Sequence, residues 1–352
     1  MSFKRLDPQD FLISADSVVG GAWSDGTVTL TNKFTSSTQT EGETGKFYTE
    51  IFRSLADIPT GLSQFSIGYG DSTGNNSTLY DSNIAGKSPS ATVFGQFQNI
   101  VLGDENTNFT FGGHTPQSQS IFALTINRAR YKGSLFPGTL DLRLSGSGLG
   151  ANGELQLTDN SKDTSTVSFN EAGRVFQLVS GSNGSAIAST ATNGVAPGMT
   201  ASGSYGLFLP DIGTIILNHS ALSLPADKGG IGLATSGLGS SATGFGNIPL
   251  NSILYNTFSS SIFQLNSQEN ITSDFIFVRA RNGEYNYSEN PSFISGSTGE
   301  VLINNFINAP QTFITSIGLY NDNNELLAVA KLSKPLKKDF TKEALVRVKL
   351  DF

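Results

Sequence analysis

Residues 204–218 read SYGLFLPDIGTIILN. Two short apolar runs, 207–209 and 214–217, flank the four residues Pro210 to Gly213. Proline presets the backbone for the first corner of a tight turn, and glycine supplies the positive φ that the exit of such a turn often needs. Runs this short, rich in β-branched residues and bounded by turn formers, are strands. The stretch is therefore a β-hairpin, and the question is how far the same grammar extends.

It extends over most of the chain. TVSFNEAGRVFQLVS, 166–180, is a second hairpin about Asn170–Gly173. In IFALTINRARYKGSLFPGTLDLRL, 121–144, a strand is followed by a basic kink, a Pro-Gly turn and a strand with Leu140, Leu142 and Leu144 on one face. QFSIGYGDSTGNNSTLY, 64–80, pairs Phe65, Ile67 and Tyr69 on one arm with a polar loop. Residues 1–48 look extended, with Val28 and Leu30 alternating in TVTLTNKFT. Helical spacing is found twice. In 88–102, Val93, Phe94, Phe97, Ile100 and Val101 recur at three and four behind a capping Ser90. In 250–262, Leu250, Ile253, Leu254, Phe258 and Ile262 share a face. The expected fold is mainly β, β-sandwich-like and multi-domain, with one or two short helices. The expected domains are 1–135 (β-rich, helix near 90–101), 136–226 (all β), a Gly/Ser-rich linker at 227–246, and an α+β docking domain at 247–352.

Charge is unevenly spread. The whole chain carries −7. Residues 331–352 hold Lys331, Lys334, Lys337, Lys338, Lys342, Arg347 and Lys349 against Asp339, Glu343 and Asp351, a local +4, which leaves −11 on the rest. An acidic surface of this kind repels nucleic acid, so none is expected as a partner. A basic end on an acidic body suits docking to other copies or to an acidic neighbour. There are no cysteines, which excludes disulfides, thiolate metal sites and cysteine nucleophiles. The N-terminal residues lack the apolar core of a secretory signal, and no apolar run approaches ~20 residues, so no membrane partner is expected.

Motifs with chemical potential are sparse. Gly70-Asp71-Ser72-Thr73-Gly74 matches the serine-hydrolase elbow, but strand-like sequence follows where a helix is required, and a hairpin loop is the better reading. His114 and His219 stand without acidic clusters and read as turn or surface residues. Gly86-Lys87-Ser88 lacks the first glycine of a phosphate loop, since position 81 is Asp81. GGIGLATSG, 229–237, has no dinucleotide spacing. DENTNFTFGG, 104–113, and YNDNNELL, 320–327, lack the closing carboxylate of a calcium loop. Arg128, Arg130 and Lys132 form either a solvated turn or a socket for an acidic neighbour. No catalysis, cofactor or metal is expected.

The C-terminal segment is the most patterned. TSIGLYNDNNELLAVAKLSKPLKK, 315–338, is strand, polar turn, strand and a run of lysines. ALVRVKLDF, 344–352, alternates Ala344, Val346, Val348, Leu350 and Phe352 with Leu345, Arg347, Lys349 and Asp351, a half-buried strand. Together these resemble the attachment domains of phage tail fibres and related tail proteins, through Ile317, Gly318, Leu319, Tyr320 and Asn321, then 325–330 and 346–352. FIFVRARNGEYNYSENPSF, GDENTNFTFGG, INRARYKGSLFPGTLDL and the opening hairpin are similar to parts of virion structural proteins of large contractile-tailed, myovirus-type phages of marine cyanobacteria. Fibres carry the attachment segment at the N-terminus and this chain carries it at the C-terminus, which points to a structural or adaptor role. The resemblance implies a virion component of tail, baseplate or neck, assembled in the host bacterial cytoplasm, homo-oligomeric, and partnered by other virion proteins. Its expected assembly interface is Ile317, Gly318, Leu319, Tyr320, Lys337, Lys338, Arg347 and Lys349. The alternatives are a host-attachment module that binds or cleaves glycans, with Trp23, Tyr285 and Tyr287 as a sugar platform, or a capsid decoration protein.

Overall fold

A computed structural model describes residues 3–21, 34–36, 47–52, 63–75, 88–113, 117–146, 149, 153–187, 195–233, 247–287 and 291–351. In chain order the first elements are β1 (Phe11–Gly21), β2 (Phe34–Ser36), β3 (Tyr48–Phe52), β4 (Phe65–Asp71), α1 (Pro89–Leu102), β5 (Ser120–Ile126), β6 (Ser134–Leu135), β7 (Asp141–Ser145) and β8 (Glu154–Asp159). Then come β9 (Ser168–Asn170), β10 (Gly173–Ser182), β11 (Ser185–Ala186), β12 (Gly206–Leu209), β13 (Thr214–Asn218), α2 (His219–Leu222) and α3 (Ile248–Thr257). The last are β14 (Phe258–Gln264), β15 (Asn266–Ala280), α4 (Asn304–Asn308), β16 (Gln311–Tyr320), β17 (Leu326–Asp339) and β18 (Ala344–Asp351). The protein is mainly β with a few short helices, as its sequence grammar requires.

The chain forms two compact units, Val18–Glu269 and Met1–Ser17 with Asn270–Phe352. The larger holds a twelve-stranded antiparallel sheet in the order β14-β7-β8-β10-β12-β13-β5-β4-β3-β2, with β9 and β11 added to β10. The boundaries expected at 135/136 and 226/227 both fall inside this unit. β5 pairs with β13 across the first, and β7 pairs with β14 across the second. Within the 227–246 stretch, Ile231 and Leu233 are buried, and their amides bond to the Leu222 carbonyl.

The opening hairpin lies at the middle of this sheet, and its alternation explains the layers. Phe208, Ile215 and Leu217 face one core with Phe122 and Leu124 of β5, whereas Leu207, Leu209 and Ile216 face a second with Ile121 and Ala123. Side chains of a strand point to opposite faces in turn, so a central strand buried on both sides must be apolar throughout. The first core is closed by the sheet itself. Phe65 of β4 lies seven strands from β14, about 34 Å away in a flat sheet at about 4.8 Å per strand. Its ring sits 5.2 Å from Phe263 and 5.8 Å from Phe258, both on β14. The sheet is therefore rolled onto itself, with Leu250 and Leu254 of α3 filling the roll.

The second core is covered by α1. Val93, Phe94, Phe97 and Val101 form its buried stripe. Its N-cap is Ser88 rather than the expected Ser90. The Ser88 hydroxyl accepts from the Ala91 amide at 3.1 Å and Pro89 takes the first helical position, which needs no amide donor. A Cβ on Gly70 would come within 2.9 Å of the Phe94 backbone, so glycine lets the helix lie close on β4. The second expected helix also forms but ends at Thr257, and Phe258 opens β14 instead of extending the helical face. The Thr257 hydroxyl turns back to the Leu254 carbonyl at 2.7 Å, and three serines follow that favour extended chain over helix.

Candidate functional site: the ribbon and sheet edge of the smaller unit

The smaller unit is built differently. β1, β15 and β18 form a sheet in that order, with β15 central and β18 at one end. β15 and β18 pair from Ser273↔Asp351 to Ala280↔Ala344. Ala344 and Val348 are buried against Ile276 and Ala280, with Val346 and Leu350 half-buried on the same side. Leu345, Arg347, Lys349 and Asp351 are exposed. The alternation expected for this strand is thus present over 344–351, and Phe352 lies outside the described residues. Arg347 and Lys349 lie over the Phe275 ring at 5.1 and 5.8 Å, which fixes both cations in a row on the open face. Arg279 grips Glu343 at 2.6 Å, and Phe277 and Leu345 complete a shallow depression beside them.

β16 and β17 form a two-stranded ribbon of their own. The turn is written into the sequence. The Asn321 side-chain oxygen accepts from the amides of Asn323 and Glu325, and Asn324 takes φ +61°. Asparagine tolerates that left-handed corner better than most residues. Register pairs Ile317 with Ala330, Gly318 with Val329, Leu319 with Ala328 and Tyr320 with Leu326. Farther down, between the Ser316↔Lys331 and Ile314↔Leu336 pairs, residues 332–335 form a wide irregularity that contains Pro335.

The two faces of the ribbon differ. One carries Ile314, Ile317, Leu319, Ala328, Ala330 and Leu332, all half-buried. The other carries Phe313, Leu327 and Val329, which are 58%, 68% and 62% exposed, with Lys331 and Lys337 among them. An isolated two-stranded hairpin is marginal in water. Here an apolar face is only half covered and its opposite face is apolar as well.

Lys338 does not join the other lysines. It is fully buried, and its ammonium donates to the carbonyls of Asn282 at 2.9 Å and Asp339 at 3.2 Å and to the Asn286 side chain at 2.9 Å. Lys337, one residue earlier, faces out beside Phe313. Successive strand residues point to opposite faces, so the adjacent pair could not both be displayed, and the period of two was the signal to read. Thr312, opposite Lys338, donates its hydroxyl to the Tyr285 carbonyl. These bonds root the ribbon on the 281–287 turn. The N-terminal arm adds Lys4 to Glu284 at 2.8 Å and an edge-to-face contact of Phe3 with Tyr320 at 5.1 Å.

Of the eight interface residues expected from sequence, Ile317, Gly318, Leu319 and Tyr320 lie on β16, Lys337 and Lys338 on β17, and Arg347 and Lys349 on β18. Sequence reasoning missed Phe313, Leu327, Val329 and Leu345, whose exposure is a property of what fails to cover them. Of the aromatic trio, Tyr287 is half-exposed, Tyr285 is only partly buried with φ +55°, and Trp23 lies outside the described residues.

The chemistry-bearing motifs are settled into the fold. Asp71 of the Gly70–Gly74 run accepts from the amide and hydroxyl of Thr73, closing a turn at the end of β4. His219 is held between two serines, with Ser120 Oγ 2.8 Å from Nδ1 and Ser223 Oγ 3.1 Å from Nε2. Ser223 Oγ also donates to the Leu233 carbonyl at 2.8 Å, so it receives the Nε2 proton, and Nδ1 accepts from Ser120. Burial pushes the His219 pKa down to about 4, against the opposing pull of Asp71. His114 and the Gly86-Lys87 pair lie outside the described residues. Among the described residues no three His, Cys, Asp or Glu side chains are grouped to hold a metal, and no helix is long and apolar enough to cross a membrane. Comparison of the chain with protein-family models, with curated proteins and with solved structures found no match.

Proposed function

We propose that this protein is a structural subunit of a tailed-phage virion, in the tail, baseplate or neck, and that it works by docking and not by catalysis. The observation that carries the reading is the β16–β17 ribbon, whose half-covered apolar face and exposed Phe313, Leu327 and Val329 call for a partner surface. Exposed apolar surface of this kind marks interaction sites in folded proteins. The resemblance of 315–338 and 344–352 to tail attachment segments points the same way. The partners are other virion proteins and further copies of the chain. Neither nucleic acid nor membrane is a partner, and no cofactor takes part. The protein is assembled in the host bacterial cytoplasm and resides in the virion.

The test is complementation of a phage that lacks the gene. Lys331→Glu with Lys337→Glu changes two exposed side chains, and the ion pair of Lys337 with Asp339 is long, at 3.8 Å. The variant is expected to melt as the wild type does and to enter particles poorly. Normal incorporation and normal particle yield would overturn the reading. Lys338→Glu is unsuitable, because it would place a carboxylate among three buried acceptors and damage the ribbon's root.

A further inference from the structure

The outer edge of β18 is open and regular. β18 ends the order β1-β15-β18, and among the described residues no strand lies beyond it. Its pairing with β15 runs without a shift from Ser273↔Asp351 to Ala280↔Ala344, and the strand contains no proline. Edge strands are usually blunted by proline, a bulge or charge, because their unpaired N–H and C=O groups recruit another strand. β17 is blunted in this way, with Pro335 inside its 332–335 irregularity. β18 is not. Its cations Arg347 and Lys349 lean over the Phe275 ring, on the side of β15 and away from the outer edge.

The order of residues says what fits this edge. The open face reads Glu343, Leu345, Arg347 and Lys349, and the opposite face reads Ala344, Val346 and Val348. An added antiparallel strand must set a base against Glu343, an acid against Lys349 and no charge against Leu345, since directly opposed side chains decide the pairing. β18 itself meets that demand when turned about a two-fold axis at Val346. Glu343 of each copy then faces Lys349 of the other, Leu345 faces Arg347, Ala344 faces Val348, and Val346 faces Val346. Each face stays continuous only if the axis passes through a residue. Of such registers overlapping seven or more residues of 343–351, an axis at Arg347 opposes Glu343 to Asp351 and Arg347 to itself, and one at Val348 opposes Arg347 to Lys349. The axis at Val346 alone joins opposite charges. Net charge allows the approach. The smaller unit holds 11 basic and 12 acidic residues, whereas the larger holds 11 and 17, so two smaller units meet with little overall repulsion.

We propose that two copies of the chain pair β18 to β18 about a two-fold axis at Val346, joining their β1-β15-β18 sheets into one. The contact is isologous and closes at two copies. Lys349 turns from the Phe275 ring, a weak contact at an exposed site, to the Glu343 carboxylate across the edge. Glu343 keeps Arg279 on its other side. The inference goes beyond the docking role of the ribbon, because it uses a different surface and names the occupant.

Sedimentation velocity over a range of concentrations tests it. Wild type is expected to show a dimer. Glu343→Lys sets lysine against lysine at both ends of the contact, and Lys349→Glu sets glutamate against glutamate. Each variant alone should pair at least about tenfold more weakly. Mixed, the two variants should form a 1:1 dimer, since both ends again join opposite charges. The register is read with single thiols, which this cysteine-free chain allows. Leu345→Cys should be coupled to its counterpart by a short thiol-to-thiol reagent, because the two positions are diagonal neighbours about 7–8 Å apart. Asp351→Cys should not be, because its two copies lie about 34 Å apart along the strands. A wild type that never dimerises, charge variants that dimerise like the wild type, a mixture that stays monomeric, or coupling through position 351 and not 345 would each overturn the proposal. If the β18 variants dimerise like the wild type but Lys331→Glu/Lys337→Glu fails to enter particles, edge pairing fails and the ribbon's docking role stands. If the β18 variants behave as expected and that ribbon variant enters particles normally, the docking role fails and edge pairing stands.

Discussion

The two units of this chain solve the burial problem in opposite ways. Both apolar cores, one inside the rolled sheet and one under α1, belong to the larger unit. In the smaller unit the buried apolar residues among those described are Ile276, Ala280, Phe306, Ala344 and Val348. Exposure runs the other way. Apart from Ile100, Val167, Phe169 and Ile187, every large apolar side chain found exposed among the described residues lies in the smaller unit. A unit that cannot bury its own apolar surface gains most from a partner, and one whose core is complete does not need one. The difference teaches where the molecule is finished and where it is waiting.

The contrast breaks most visibly in the core. Phe208→Ala should cost about 3–5 kcal/mol, because a fully buried ring leaves a cavity in a sheet packed on both faces. Leu327→Ser on the ribbon should move the isolated subunit by no more than about 0.5 kcal/mol. Urea denaturation of both variants measures the ratio, and a ribbon change as costly as the core change would erase the distinction.

Acid should act on the larger unit through His219. Its folded pKa is depressed to about 4 from an ordinary value of 6.5. The unfolded chain therefore binds a proton between those values that the folded chain does not. Stability from this group is complete above about pH 6.5, declines as pH falls and levels off below about pH 4, for a total of about 3 kcal/mol. His219→Gln should flatten that slope in denaturation midpoints measured from pH 4 to 8. An unchanged slope would mean that other groups carry it.

Lys338→Met should remove about 2–3 kcal/mol from the ribbon's root, because a charged donor leaves three acceptors behind. The loss should be local, read as faster hydrogen exchange in β16 and β17 with β12 and β13 unchanged. Gly70→Ala should cost about 1–3 kcal/mol, since its Cβ would lie 2.9 Å from the Phe94 backbone. Thermal melting checks it, and a neutral result would mean that α1 can shift.

Much of the fold was legible because local signals were strong. Pro210–Gly213 and Asn170–Gly173 named their hairpins, and Val93, Phe94, Phe97 and Val101 named the buried stripe of α1, whereas Ile100, read as part of the same face, is exposed. The rolling of the sheet was not legible, because Phe65 meets Phe258 and Phe263 through a closure that no local pattern encodes. Domain limits were hidden for the same reason: β5 finds β13, and β7 finds β14, across long stretches of chain. At the site, the tight turn at Asn321–Glu325 and the alternation of β18 could be read directly. The inward turn of Lys338 could have been, from strand period alone. The bareness of Phe313 and Val329 could not, since exposure depends on the rest of the molecule.

The central claim is that the smaller unit is completed only by a partner, and hydrogen exchange of the ribbon tests it most directly. At concentrations where the protein is monomeric, amides of 311–320 and 326–337 should exchange far faster than those of β12 and β13, and assembly should slow the ribbon and the β18 edge alone. Ribbon amides as protected as β12 and β13 in the monomer would contradict the claim, because the ribbon would then need nothing beyond its own chain.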